Sequence, residues 1–204
     1  MIGIDPENNS ERENYKLLIG SIIPRPIAFV TSQSAEGVLN GAPFSYFNVV
    51  SSNPPLISIS VQRKNGKRKD TSRNIHHLKE FVVHAVDEEN VNLVNETAAS
   101  IPENESEIEL AKLTSVNSEL ISVPGVVESK FRMECVLEEM IELGGDEKTG
   151  PGADLIIGKV VRFHVDENIF CDGKIDPREL GAVSRLAGND YANIGRIFSK
   201  KRPD

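Results

Sequence analysis

The amino-acid sequence predicts a mainly β fold, a β-barrel decorated with a few helices, and three alternating segments lead to this prediction. In residues 54–62, three aliphatic side chains alternate with two serines, and residues 128–139 and 153–166 repeat the alternation over longer runs. A period of two is typical of a strand with one face buried. Many such strands between short turns, with few helical stretches, indicate a barrel.

Each alternating segment is expected to bury its apolar side. The apolar positions of the three segments are Ile57, Ile59 and Val61; Phe131, Met133, Cys135 and Leu137; and Leu155, Ile157, Val161, Phe163 and Val165. Lys159 is the one exception in the third segment. Further β-rich runs at 26–33, 38–50 and 80–86 are separated by turn signals such as SAEG, so we expect strands there as well.

Two segments predict helices. Residues 70–80 open with Asp70 or Thr71 as a helix cap, and apolar residues follow at a spacing of three. Residues 89–100 also carry their apolar side chains at helical spacing.

Length, charge and cysteine content restrict the class of protein. The chain has 204 residues, with 31 acidic and 23 basic residues and a net charge of −8, which favours a single domain and argues against a nucleic-acid binder. Its two cysteines, Cys135 and Cys171, have no CxxC spacing, so we expect no disulfide scaffold and a reducing, cytoplasmic location. The sequence also predicts no membrane span.

The bases are concentrated in residues 63–73, where six of them accompany one acid, Asp70. This basic stretch leads into the predicted helix, whose first backbone N–H groups can bind phosphate, and Thr71, Ser72 and Asn74 add short polar side chains there. The alternative interpretation is a solvated basic loop before an ordinary helix.

A second candidate segment, residues 41–55, is rich in small and hydroxyl-bearing residues, among them Ser45, Asn48, Ser51 and Ser52. Such a strand can bring backbone N–H groups and side-chain donors close to a planar ligand. The alternative is a strand whose polar side faces water.

Several familiar catalytic motifs are absent from the sequence: GxGxxG, GxxxxGK[ST], GxSxG and HExxH. No metal site is predicted. Among the four histidines, His164 lies on the polar side of its predicted strand beside Arg162 and Asp166, and it is the histidine we place nearest a ligand.

Seven ordered blocks of sequence, beginning with RPIAFVTS (25–32), resemble the flavin reductase-like family of FMN-binding split β-barrel proteins. The other six are LNGAPFSYFNVVSSNPPLISISV (39–61), KDTSRNI (69–75), EFVVHAV (80–86), LTSVNSELISVPGVVESKFRMECVL (113–137), DLIIGKVVRFHVDENI (154–169) and SRLAGNDYA (184–192). The resemblance implies a six-stranded antiparallel barrel of Greek-key type, usually a homodimer. It divides the chain into an N-terminal extension (1–14), the split-barrel domain (15–192) and a basic C-terminal tail (193–204).

The resemblance also implies which residues hold the flavin. The APFS block would line the ring and ribityl groups with Ala42, Pro43, Phe44, Ser45, Tyr46, Asn48, Ser51 and Ser52. The KDT block would hold the phosphate through Lys69, Thr71 and Asn74, with Asp70 as a helix cap. Thr31 and Ser32 are weaker candidates, and Arg185 would approach the flavin from the C-terminal block.

The activity that the resemblance implies is an FMN-dependent oxidoreductase that reduces flavin with NADH or NADPH, with His164 and Arg185 as candidate catalytic residues. Three alternatives remain open. The protein could be a flavin-holding electron carrier served by a redox partner protein, a non-catalytic flavin-binding protein, or a pyridoxamine-phosphate oxidase on a related barrel.

Overall fold

A seven-stranded antiparallel sheet dominates the computed structural model, which describes residues 1–145 and 150–203. The strand order is β3-β2-β6-β9-β10-β5-β4, and shorter strands form small accessory sheets. The strands are β1 Arg25–Pro26, β2 Ala28–Gln33, β3 Leu39–Phe44, β4 Phe47–Ser52, β5 Pro55–Gln62, β6 Glu80–Ala85, β7 Ser115–Val116, β8 Gly125–Val126, β9 Phe131–Leu143, β10 Ala153–Val165, β11 Phe170–Cys171, β12 Lys174–Ile175, β13 Val183–Arg185 and β14 Tyr191–Asn193.

The sheet curls because its two edge strands, β3 and β4, are consecutive in the chain. Only Ser45 and Tyr46 separate them, so the edges of the sheet must lie together, as in a barrel. The predicted fold class, a mainly β barrel with added helices, is therefore confirmed. The sheet has seven strands where six were expected, and the sequence run 38–50, expected to be one β-rich run, divides at this turn into two strands.

The main core lies between the inner faces of these strands and helix α2. It contains Ile57, Ile59 and Val61 of β5, as predicted, and Met133 and Cys135 of β9. Burying a side chain of this size stabilises the fold by about 1.5–3 kcal/mol, so the alternating pattern of β5 and β9 determines which face turns inward.

Up to Val160, strand β10 buries the face opposite to the one predicted. Its inner positions are Asp154, Ile156, Gly158 and Val160, whereas the predicted core residue Phe163 is half exposed. Two of the inner positions are not apolar side chains: Asp154 is a buried carboxylate, and a Cβ at Gly158 would lie 2.3 Å from the ring of a core phenylalanine. The apolar alternation therefore marks the outer face of β10 only up to the register shift between Val160 and Arg162. Beyond that shift, Phe163 lies opposite the core residue Met133, on the predicted side.

The helices are α1 Glu11–Ser21, α2 Asp70–Leu78, α3 Val91–Glu96, α4 Glu107–Leu110 and α5 Pro177–Leu180. The second and third confirm the predicted helices, but the predicted cap of α2 is wrong. Lys69 occupies the N-cap position without a side-chain hydrogen bond, and Asp70, one residue inside, accepts a hydrogen bond from Arg73 at 2.6 Å.

Helix α1 was not predicted, although its start carries a recognisable signal. Ser10 and Glu13 exchange hydrogen bonds in a capping box, since each side chain accepts from the other residue's backbone N–H. The helix crosses the boundary expected between the N-terminal extension and the barrel domain, and that boundary stays a prediction. Residue 204 of the predicted tail lies outside the described residues.

Candidate functional site

A cavity of about 340 Å³ lies where the turn between β3 and β4 meets α1, the residue before α2 and the loop after β13. Three cationic side chains line it: Arg25, Lys69 and Arg185. None of the described residues that line it is acidic, although the chain as a whole carries a net charge of −8. We call it the cationic cavity. Its charge fits an anionic ligand.

Arg25 holds the walls of the cationic cavity together. It is only 6% exposed. Its guanidinium donates to the carbonyl oxygens of Ile19 and Ile22 at 2.7 Å each and to that of Leu186 at 2.8 Å. Its Nε lies 3.5 Å from Ser45 Oγ. One side chain thus joins the end of α1, the loop after β13 and the turn between β3 and β4.

The end of β3 and the turn that follows it supply one wall of the cavity through Pro43, Phe44, Ser45 and Tyr46. Burial raises the pKa of the Tyr46 hydroxyl above its usual value, so the group is neutral near pH 7 and serves as a hydrogen-bonding partner. An apolar ring beside hydroxyl donors suits a planar heterocycle with polar edges.

Lys69, the residue before α2, contributes to the second wall. Lys69 lines the cavity. In the part of the chain that the structure describes, the backbone N–H groups of Asp70, Thr71 and Ser72 have no acceptor, because no side chain caps the helix. A lysine beside free amides at a helix N-terminus is an arrangement that binds phosphate.

The basic stretch before α2 is fastened to the barrel by Asp154, which is fully buried. This carboxylate accepts hydrogen bonds from Arg63 Nε at 3.1 Å, Ser72 Oγ at 2.6 Å and Arg68 Nε at 3.3 Å. Burial alone raises the pKa of Asp154, but the hydrogen bonds from Arg63 and Ser72 outweigh it and hold the pKa below its usual value. Arg63 and Arg68 therefore position the loop instead of facing a ligand.

Five of the predicted flavin-binding residues do not line the cavity; four of them are buried, and Ala42 is half-buried against the core. The five are Thr31, Ser32, Ala42, Thr71 and Asn74. The Thr71 hydroxyl donates to the side-chain oxygen of Asn40, and the Asn74 amide donates to the Ser32 hydroxyl. Asn40 in turn donates to Glu107, whose carboxyl has its pKa raised by burial. This network fastens α2 to β2 and β3, so Ser32, Thr71 and Asn74 support the helix from beneath, whereas the Thr31 hydroxyl donates to the carbonyl oxygen of Pro124.

Three further predicted residues line neighbouring cavities. Asn48 lies in a cavity of about 410 Å³ that shares Ser45 and Tyr46 with the cationic cavity. Ser51 and Ser52 lie in a larger apolar groove of about 650 Å³. The cationic cavity itself gathers six of the fourteen predicted residues, the four of the turn together with Lys69 and Arg185.

Sequence reasoning missed several residues of the cavity, above all Arg25, which opens the RPIAFVTS block. Tyr15 of α1, Gln62 at the end of β5 and Asn95 of α3 also line it. The sequence did contain a signal for Arg25, since it directly precedes a proline and a run of apolar residues. An arginine in such a setting is expected to be buried and therefore paired.

His164 lies on the outer face of β10 and lines none of the cavities described above. Its Nε2 is 2.6 Å from Oε1 of Glu134, a carboxylate with no exposed surface that also accepts from the amides of Glu119 and Leu120. Burial raises the pKa of Glu134, but the hydrogen bonds from the Glu119 amide and from His164 outweigh it, and the pKa lies below its usual value. In this position His164 serves as a hydrogen-bonding partner of a buried carboxylate.

The variant His164→Ala is expected to lose about 1–3 kcal/mol of unfolding free energy, because a buried carboxylate loses one of its donors. Flavin affinity is expected to stay unchanged. Urea unfolding at pH 7 measures the first and a flavin titration the second. Arg162→Ala is the matched control, since its pairing with Glu119 is exposed and is worth less than about 1 kcal/mol. A flavin affinity that fell while stability held would instead place His164 at the ligand.

The chain is similar to known proteins over most of its length. A family model described as a flavin reductase like domain matches residues 19–177. A protein of Halalkalibacterium halodurans is 52% identical over 202 residues, which cover 98% of this chain and 96% of that protein. The structure of nitrilotriacetate monooxygenase component B from Bacillus cereus shares 62% identity, with a TM-score of 0.96 and 98% of each chain covered.

A Shewanella frigidimarina protein with a split barrel domain has a TM-score of 0.82 at 20% identity, over 97% of this chain and 96% of that chain, which shows a common fold. In the residues that the structure describes, no helix has both the length and the apolar character needed to span a membrane. The match over most of the chain assigns it a flavin-related oxidoreductase role with a flavin cofactor: the chain belongs to the flavin reductase-like family.

Proposed function

We propose that the protein is an FMN-dependent reductase that takes electrons from NADH or NADPH, with the flavin bound in the cationic cavity. The observation that carries this proposal is the lining of that cavity: three cations, no acid among its described residues, and ring-bearing side chains together with Lys69, the N-cap residue of α2. The phosphate would lie at Lys69 and the α2 amides, and the ring system against Pro43–Tyr46.

The chain's own residues would bind and orient the ligands, while the bound flavin would supply the acceptor for a hydride from the reduced nicotinamide, which leaves oxidised. Arg185 lines the cavity with its guanidinium 4.4 Å from the ring centre of Tyr191. From there it would stabilise the negative charge that a flavin gains on reduction. No histidine or carboxylate is found among the described lining residues, so positioning and charge are what the site offers.

The direct test is an anaerobic absorbance spectrum of the flavin-loaded protein before and after addition of NADH or NADPH. Loss of the flavin absorbance at catalytic rates is the expected result. A flavin that binds but stays oxidised with both nicotinamides would contradict the reductase proposal and favour an electron carrier. A protein that binds no flavin would contradict the site as well.

Replacing Lys69 by alanine is expected to weaken FMN binding at least tenfold, because a charge-assisted hydrogen bond to phosphate contributes about 1.5–3 kcal/mol. Riboflavin, which lacks the phosphate, should lose little affinity. Titration of both flavins, followed by the quenching of flavin fluorescence, measures the two effects separately.

Lys64→Ala is the matched control for Lys69→Ala. It removes the same charge from the same exposed loop, but Lys64 does not line the cavity. Equal weakening of FMN and riboflavin by Lys69→Ala, or equal weakening of FMN by both variants, would show that Lys69 does not contact the phosphate.

An electron carrier is the second candidate, and the charge of the chain favours it. A net charge of −8 suits docking to a basic redox partner. In that case the rate of reduction by the partner would fall steeply as salt is added, whereas reduction by free nicotinamide would be absent.

The proposed oligomer is a homodimer. The apolar groove of about 650 Å³ is lined in part by Phe47, Leu56, Val49 and Phe163, the last two with 71% and 51% of their surface exposed. Exposed apolar surface of this kind is typical of an interface. Sedimentation analysis is expected to give twice the mass of the chain at micromolar concentration, and the mass of a single chain would contradict this proposal.

A further inference from the structure

A second polar cavity of about 670 Å³ adjoins the cationic cavity. The two share Asn95, Arg185 and Tyr191 in their walls, so the two cavities lie side by side. Four asparagines line the second cavity: Asn92, Asn95, Asn189 and Asn193. We call it the amide cleft. It contains none of the residues that the sequence predicted as flavin ligands except Arg185.

The amide cleft has two fixed walls. One is the hairpin of β13 and β14, where Val183 lies opposite Asn193 and Arg185 opposite Tyr191, which places these four side chains on one face. The other wall is α3, and the Tyr191 hydroxyl joins the two by donating to Asn95 Oδ1 at 3.1 Å. The backbone pairing of the hairpin and this hydrogen bond therefore fix the position of the two walls relative to each other.

The lining favours a ligand rich in hydroxyl and amide-like groups. Each asparagine offers both donors and an acceptor, which suits the hydroxyls of a ribose and the edge of a base. The charges are separated: Arg185 stands at the junction with the cationic cavity, and Glu88 lies in the amide cleft but not in the cationic cavity. A ligand with an anionic centre and a neutral end matches this order.

We propose that the amide cleft binds the adenosine half of the dinucleotide electron donor, with its diphosphate near Arg185 and its nicotinamide directed into the cationic cavity. This inference rests on the proposed reductase function. Glu88 would accept a hydrogen bond from the ribose 2′-hydroxyl. A 2′-phosphate there would meet a like charge, so the cleft selects NADH over NADPH.

The first experiment measures binding without turnover, by titrating ADP-ribose into the flavin-loaded protein in a calorimeter. ADP-ribose is expected to bind, and the double variant Asn92→Ala, Asn193→Ala is expected to bind it at least tenfold more weakly. Both asparagines are exposed, so the variant should fold. Absence of ADP-ribose binding, or the same affinity in the double variant, would overturn the assignment of the cleft.

The second experiment compares kcat/KM for NADH and NADPH in the wild type and in Glu88→Gln. The wild type is expected to prefer NADH, and the variant to shift the ratio toward NADPH at least tenfold with unchanged FMN affinity. Glu89→Gln is the matched control, because the neighbouring carboxylate pairs with Lys130 at 2.7 Å and does not line the cleft. An unchanged ratio in Glu88→Gln would overturn the role of Glu88.

The outcomes separate this inference from the function on which it rests. ADP-ribose binding without oxidation of either nicotinamide would contradict the reductase while leaving the cleft as a nucleotide site. Oxidation of nicotinamide without ADP-ribose binding, and with the Glu88→Gln ratio unchanged, would leave the reductase standing and remove the inference.

Discussion

Replacing Asp154 by asparagine is expected to lower the free energy of unfolding by about 3–5 kcal/mol at neutral pH. The carboxylate is fully buried, and the guanidinium of Arg63 that it pairs with is only 8% exposed. Removing the negative charge leaves that poorly solvated guanidinium with a half-exposed carboxylate, Glu142, as its remaining ionic partner. For a chain of this length, each kcal/mol corresponds to about 2–4 °C in Tm, so thermal unfolding measures the effect readily.

The control for Asp154→Asn is Glu142→Gln in the same ion-pair network. Glu142 contacts Arg63 at 2.6 Å and Arg68 at 2.8 Å, but its side chain is 48% exposed, so its loss should cost less than about 1 kcal/mol. Equal losses in the two variants would show that burial does not determine the strength of this network.

Lowering the pH should diminish the difference in unfolding free energy between the wild type and Asp154→Asn. Because the pKa of Asp154 in the folded chain lies below its usual value of 3.8, ionisation of Asp154 stabilises the fold above that value. This contribution is lost as the pH falls through the folded pKa. Unfolding curves measured between pH 7 and pH 3 are therefore expected to converge, and a difference that grew on acidification would contradict this assignment.

The fold class followed from the sequence because strand alternation is a local property. Strands β5 and β10 show what that property can and cannot predict. Its inner residues Ile57, Ile59 and Val61 were predicted correctly, since its outer positions are serines. Strand β10 has apolar residues on both faces, so the period located the strand but could not identify its buried face. That choice depends on Asp154, whose partners lie in α2 and the loop before it, and on Gly158, which faces Phe81 of β6.

The candidate site was only partly predictable for the same reason. The turn residues Pro43–Tyr46 and Lys69 lie at the ends of elements, where their side chains remain free to face a cavity. Thr31 and Ser32 lie within β2, which is covered on both faces, and Thr71 lies on the inner side of α2. Polar residues in such positions bind each other, and no local pattern distinguishes them from ligand-binding residues.

Replacing Arg25 by methionine is expected to reduce flavin affinity at least tenfold and to lower the free energy of unfolding by about 2–4 kcal/mol. Methionine has a similar length but no donors, so the carbonyls of Ile19, Ile22 and Leu186 lose their partner. Leaving a buried acceptor unpaired costs about 1–3 kcal/mol. The cavity also loses one of its three cations.

Arg12→Met is the matched control, because Arg12 lies on the exposed side of α1 and changes the net charge by the same amount. It should affect neither flavin affinity nor stability by more than a small amount. If both variants weakened flavin binding equally, the effect would come from net charge and not from the position of Arg25.

The variant Arg25→Lys separates the positive charge of the residue from its hydrogen bonds to the three carbonyls. Lysine keeps the positive charge, but one ammonium group cannot reach three carbonyls that a planar guanidinium spans. We therefore expect Arg25→Lys to lose most of the stability that Arg25→Met loses while keeping more of the flavin affinity. Parallel losses of both quantities in the two variants would mean that Arg25 acts on the flavin only by holding α1, the loop after β13 and the β3–β4 turn in place. Stability and affinity would then be two measurements of one contact.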